Sequence, residues 1–282
     1  MVDKTHWHGN HISIYEKQQI ELINNWKNEK PSVLDQAFGA VLKPVAWAVE
    51  KVIPDKAIQG LLDGGNEVGR FLADTKDIIR DGKVTKIEDL KYKDLKLSDD
   101  LANEVHNWAI GLATTEGGIA GFFGLPGTVV DVPTIITFSL RTIHKIGLCY
   151  GYDCKTEEDK RFVLGILAAS GANSVEEKTA AILALKSIQN TITKQTWKKM
   201  AEKAAQQPFS REAAIIAVKN LAKQLGINIS KRKALQALPV IGLVVGASSN
   251  GWFIKDVGWA ARRAFQERWL IENEKIIDMD IL

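Results

Sequence analysis

Glu116, Asp131, Arg141, His144 and Asp153 all fall between residues 116 and 153. Carboxylates beside a histidine could pass a proton, and an arginine could steady an anion, so the group has the parts for acid–base chemistry. A nucleophile is harder to find. Ser139 is the hydroxyl nearest His144 in sequence, but five residues apart on one helix the two would not face each other. No nucleophile elbow, His-Glu-x-x-His pair or phosphate-cradling G-x4-G-K-[ST] loop is present. No reaction class is therefore specified, and catalysis by this cluster is the least favoured reading.

A structural role fits the same residues. An arginine in apolar surroundings wants a carboxylate. Asp131 stands about 15 Å from Arg141 along a helix, too far to pair with it. Glu116, closing the preceding antiparallel helix, is better placed, and a Glu116–Arg141 ion pair is expected. Asp131 is followed by Val-Pro-Thr and reads as the N-cap of a helix running to about Tyr150. Ile136, Leu140, Ile143 and Gly147 would share one face of that helix. Thr134, Thr137, Arg141 and His144 would share another.

Other metal or redox chemistry finds little support. Cys149 and Cys154 have no second pair to complete a tetrahedral site and read as reduced thiols. His6, His8 and His11 read as part of an exposed tail. No metal and no cofactor is expected. The N-terminus lacks a basic segment followed by an apolar core, so no signal peptide is expected. A net charge of +3 and a pI near 8.7 are too mild to indicate nucleic acid, and no nucleotide loop exists.

These groups must be positioned by helices. Hydrophobic residues make up 45% of the 282 and charged ones 25%, as in a globular protein. Apolar spacing is helical nearly throughout, so the expected fold is all-α, a multi-helix bundle. Helices are predicted over 12–30, 33–53 (kinked or divided at Pro44), 57–74, from Ser98 towards Glu116, from 157 to Gly171 with a Thr156/Asp159 capping box, and, as one helix or two, over 175–206. A further helix over 211–225 is capped by Ser210 and closed by Gly226. Residues 1–30 read as an N-terminal helical extension and 31–75 as N-terminal helices. Residues 76–97 read as a charged, solvated connection and 98–282 as the main domain, with Ser98 its first N-cap.

Two stretches are nearly free of charge: residues 117–140, broken by Asp131, and residues 234–254. Each carries Leu-Pro near glycine. Their lengths suit helical hairpins, buried in protein or dipped into one leaflet, better than a transmembrane pair. The predicted turns lie at Gly124, Pro126, Gly127 and Pro133, and at Pro239 and Gly242. Small residues would let the two hairpins pack on each other.

The segments TTEGG, GLPG, DVP, SLR and YGYD between 114 and 153 resemble the signature of the EcsC family of bacterial proteins. VLKPVAWAVEKVIP (41–54), EEDKRFVLGIL (157–167), LPVIGLVVGASSN (238–250) and AARRAFQERWL (260–270) are similar to further stretches of it. The resemblance covers roughly residues 33–272. It adds Tyr150, Asp153 and Asn250 to the polar signature of Glu116, Asp131, Arg141 and His144. The family is named for a gene neighbouring an ABC exporter and brings no agreed catalytic residues.

The favoured expectation is a non-enzymatic protein at the cytoplasmic membrane face. It would bind anionic lipid or a membrane protein of the ABC-transporter kind, in no set oligomeric state. Phe122, Phe123, Trp252 and Phe253 would form the apolar contact, with Arg262, Arg263 and Arg268 as a basic closing helix. A soluble carrier with an apolar cavity is the alternative.

Overall fold

The computed structural model describes residues 12–29, 55–115, 117–124, 132–171, 175–200 and 242–276. The predicted helix 33–53, the helix 211–225, Glu116, Pro126, Gly127, Asp131 and Pro239 lie outside them. Among the described residues the fold is all-α, with nine α-helices, one 3₁₀ helix and no strand.

Local signals set most helix starts. In α1 (Ile14–Asn28) the Ser13 hydroxyl accepts from the Glu16 N–H, and the Glu16 carboxylate accepts from the Ser13 N–H. The same box forms between Thr156 and Asp159 at the head of α7 (Glu157–Gly171). Between them lie α2 (Asp55–Leu72), α3 (Lys76–Asp81), the 3₁₀ helix Ile87–Tyr92, α4 (Leu95–Thr114), α5 (Gly118–Phe122) and α6 (Val132–Cys149). After α7 come α8 (Val175–Met200) and α9 (Gly242–Glu272).

Two readings need correction. The cap of α4 is Asp94, whose carboxylate accepts from the Leu97 N–H at 2.9 Å, and not Ser98, which is buried one turn into the helix. Nor is the charged stretch 76–97 a solvated connection. Ile78, Ile87, Leu90 and Leu95 all sink into the core. Charge density hides them because the acids and lysines between them occupy the opposite sides of very short helices.

Helix α6 is the centre of the bundle. From Ile135 to Tyr150 it is buried nearly all round, except at Thr137, so the two faces read from its sequence are both covered. Helix α4 runs antiparallel to it. Trp108 meets Phe138 at one end, and Asp99 meets Tyr150 at the other. Helix α9 lies against both, antiparallel to α4, with His106 beside Lys255 and Asn103 beside Arg262. The basic closing helix is therefore not separate from the uncharged stretch before it. Both belong to α9, 31 residues without a break.

Helix α2 packs along α6 at very short range. A Cβ on Gly69 would sit 2.7 Å from the Arg141 backbone nitrogen, whereas one on Gly64 would meet nothing within 4 Å. Gly69→Ala is therefore expected to lose about 1–3 kcal/mol of stability by overpacking. Gly64→Ala should gain roughly 0.5–1 kcal/mol from helix propensity. Urea unfolding of the two variants checks the contrast, and equal effects would mean that α2 and α6 are not in contact there.

Candidate functional site

Three polar side chains leave the middle of α6: His144 towards α2, Lys145 towards the α2–α3 junction, and Arg141 towards α4 and α5. The His144 Nε2 lies 2.8 Å from the Asn66 Oδ1, and both side chains are buried. The amide oxygen accepts, which places the ring proton on Nε2. Burial drives the His144 pKa down to about 4, and nearby Arg70 adds to the shift, so the ring is neutral at neutral pH. The Lys145 ammonium is buried too. It donates to the Asp77 carboxylate at 2.6 Å and to the Asp74 carbonyl.

Arg141 is held differently. Its guanidinium lies 4.6 Å from the centre of the Trp108 ring and 5.0 Å from that of Phe122. Burial pulls its pKa down, and Asp77 and Asp74 oppose that from a distance. Among the described residues no carboxylate pairs with Arg141 or bonds to His144. Asp153 sits past the far end of α6, paired with Lys155. Of the predicted cluster, then, Arg141 and His144 lie one turn apart on α6 but turn to different neighbours, and Asp153 is elsewhere. Glu116 and Asp131 lie outside the described residues, and so does the expected Glu116–Arg141 pair. Among the described residues no group of three or more His, Cys, Asp or Glu is placed to hold a metal. Cys149 and Cys154 are free and buried, and burial raises both thiols well above their ordinary pKa.

Tyr150 belongs to a network that the sequence reading missed. Its hydroxyl donates to Asp99, which also accepts from the Tyr15 hydroxyl at 2.6 Å and the Gln266 amide at 2.7 Å. Gln266 and Gln19 both accept from Arg263. The basic face expected on α9 is thus buried. Arg262 lies over the Trp259 ring and donates to Asn103, and Arg268 pairs with Asp159 and Glu272. Aromatic faces and neutral amides take guanidinium groups out of water here.

The uncharged segments converge at one end of the bundle. Helix α4 finishes there, α5 crosses it, and α6 and α9 begin there, with Pro133 the second residue of α6 and Gly242 the first of α9. Thr114 touches Gly251 across α4 and α9, and Phe122 and Phe123 pack on Phe138. Gly124 takes a left-handed backbone, φ 67°, after α5. Of the four aromatics expected to face outward, Phe253 is fully buried and Phe122 and Phe123 are partly so. Trp252 is 40% exposed, and Trp108, not anticipated, is 45% exposed. The Asn250 backbone lies in α9 between these groups.

The profile of the EcsC protein family matches residues 17–270. The chain belongs to that family. The match begins inside α1, earlier than the signature segments suggested, and so takes in Gln19 and its bonds to α9. The chain is also similar to the uncharacterized protein YdbA of Bacillus subtilis (strain 168), at 24% identity over 273 residues, covering 92% of this chain and 94% of that one. No solved structure matches. Among the described residues of the EcsC signature, His144 ties α6 to α2, Tyr150 ties it to α4, and Arg141 lies over the rings of Trp108 and Phe122.

Proposed function

We propose that this EcsC-family protein is a non-enzymatic helical module that docks on the cytoplasmic face of a membrane through the uncharged end of its bundle. The observation that carries the reading is the convergence at that end of the residues from Trp108 to Thr115, Gly117 to Gly124, Val132 to Leu140 and Gly242 to Ile254. None of them is charged, and two are half-exposed tryptophans. Tryptophan at such a surface suits the interface between headgroups and acyl chains. No helix among the described residues is long and apolar enough to cross a membrane, which agrees with docking rather than spanning.

Helix α2 also exposes Val68 and Phe71, but Asp63 and Glu67 are exposed beside them, which disfavours burial in lipid. A carrier would need a roomy interior cavity, and among the described residues the pocket bounded by Trp26, Phe162, Leu185, Gln189 and Ala264 holds only about one water molecule.

Trp252→Glu places a charge on the docking surface and is expected to weaken vesicle binding about tenfold or more. Tyr92→Glu changes a residue 84% exposed at the opposite, charged end and should leave binding unchanged. Co-sedimentation with phospholipid vesicles checks both, and equal binding by the two variants would exclude this end as the contact. In the native cell the protein should stay with membranes through high salt and leave in carbonate.

A further inference from the structure

The Arg141 side chain is 7% exposed, yet its Nε and Nη1 have no hydrogen-bond partner. Buried donors are ordinarily matched, and an unmatched charge inside a protein is costly enough to need an explanation. The guanidinium carbon lies 4.6 Å from the Trp108 ring centre and 5.0 Å from that of Phe122, and the two rings meet edge-to-face, so both contacts fall on one side of the group and leave its other side to meet an acceptor. The backbone behind it is pinned by Gly69, so the residue cannot withdraw along α6. It is also the first charge on α6 after nine uncharged residues, and it borders the half-exposed Trp108.

We infer that Arg141 receives the phosphate of a phospholipid headgroup at the uncharged end of the bundle, an inference that rests on the membrane-docking reading above. A planar fork of N–H groups matches phosphate oxygens two at a time. One guanidinium balances one negative charge, which suits the phosphodiester of an anionic lipid better than a phosphate dianion. The surroundings favour a lipid source as well. Rings and small residues would meet glycerol and acyl carbons, whereas a small hydrated phosphate finds no second cation among the partners of Arg141. The carboxylates whose charge reaches it, Asp74 and Asp77, lie towards the other end, where Asp77 pairs with Lys145 and Asp74 accepts from the Lys76 N–H.

The test uses the full chain with phosphatidylcholine vesicles, with and without phosphatidylglycerol, and reads binding and thermal unfolding together. Wild type should prefer the phosphatidylglycerol vesicles. Arg141→Met should lose about ten- to a hundred-fold in that binding, the range for hydrogen bonds to a charged group. It should unfold at or above the wild-type temperature, because it removes an unmatched buried charge. Arg141→Lys should fall between the two. If Arg141→Met binds as wild type does, the headgroup site is overturned while membrane docking stands. If Arg141→Met unfolds far earlier and Glu116→Gln does the same, the guanidinium is satisfied within the chain and the site is overturned. Equal thermal protection by glycerol phosphate alone would reassign the source to a soluble phosphate. Wild type indifferent to every vesicle would overturn the docking reading itself and this site with it.

Discussion

Acidification from pH 7 to 5 is expected to cost this fold about 4 kcal/mol, through two histidines that bear no obvious relation to each other. His106 and His144 are each 2% exposed, and burial drives each pKa from 6.5 to about 4. His106 also sits beside the positive Arg262, and His144 beside Arg70. The folded state holds both rings neutral, while the unfolded chain protonates them near 6.5. Between pH 6.5 and 4 the unfolded state therefore binds more protons, so stability is present above 6.5 and drains away towards 4. At roughly 1.4 kcal/mol per unit, each ring contributes on the order of 2 kcal/mol by pH 5 and 3 kcal/mol by pH 4. Asp159 acts in the same direction at still lower pH. Burial raises its pKa, but Arg268 and Thr156 more than offset that and hold it below the ordinary value, so its contribution is lost only as pH falls through that lowered range. Asp99 opposes the trend, since burial raises its carboxyl despite three donors. His144→Gln keeps an N–H for Asn66 and should remove about half of the slope at little cost at pH 7. Thermal unfolding measured at several pH values reads this directly. A midpoint that is flat from 7 to 5 would mean that neither ring is buried in solution.

Local chemistry made much of the fold legible, and distance concealed the rest. The capping box at Thr156 is complete within four residues of sequence, so α7 could be placed before any packing was known, and α1 was placed by its apolar spacing while its Ser13 box went unread. The helical spacing of Arg141 and His144 suggested one shared face of α6, but His144 turns to Asn66 on α2 and Arg141 to Trp108 and Phe122 on α4 and α5. Nothing local marks Asp99 as buried, because its neighbours, LKLSDDLANE, are polar and charged. The residues that bury it are 84, 51 and 167 positions away. Arg262, Arg263 and Arg268 looked like a wet basic face for the same reason. Hydropathy scores a guanidinium as exposed, and nothing local announces that Asn103, Gln19 and Tyr152 will meet these three. Gly258 did carry a signal. A Cβ there would fall 2.1 Å from the His106 ring, a close approach that only glycine permits.

The Asp99 network is where loss of a single side chain should cost most. Asp99→Ala is expected to destabilise the protein by about 3–5 kcal/mol, the range for removing one partner from a buried charged cluster. The reason is what remains behind. Tyr150 is fully buried, so its hydroxyl has no water to turn to, and Gln266 is buried with it. Each stranded donor costs about 1–3 kcal/mol, and the cavity adds to that. The damage should spread, because Gln266 helps hold Arg263, and Arg263 and Gln19 tie α1 to α9. Asp99→Asn separates shape from charge. An asparagine still offers one oxygen to Tyr150 and Gln266, and the Tyr15 hydroxyl can rotate to accept from its amide. With no cation bonded to Asp99, the charge itself contributes little, so Asn should cost about 1 kcal/mol, near the value of one neutral hydrogen bond. A double-mutant cycle with Tyr150→Phe isolates the shared bond. Phenylalanine removes the stranded hydroxyl, so Asp99→Ala should cost less in that background by about 1–3 kcal/mol. If the two losses simply add, Tyr150 and Asp99 are not bonded in solution, and α4 is held to α6 by apolar packing alone.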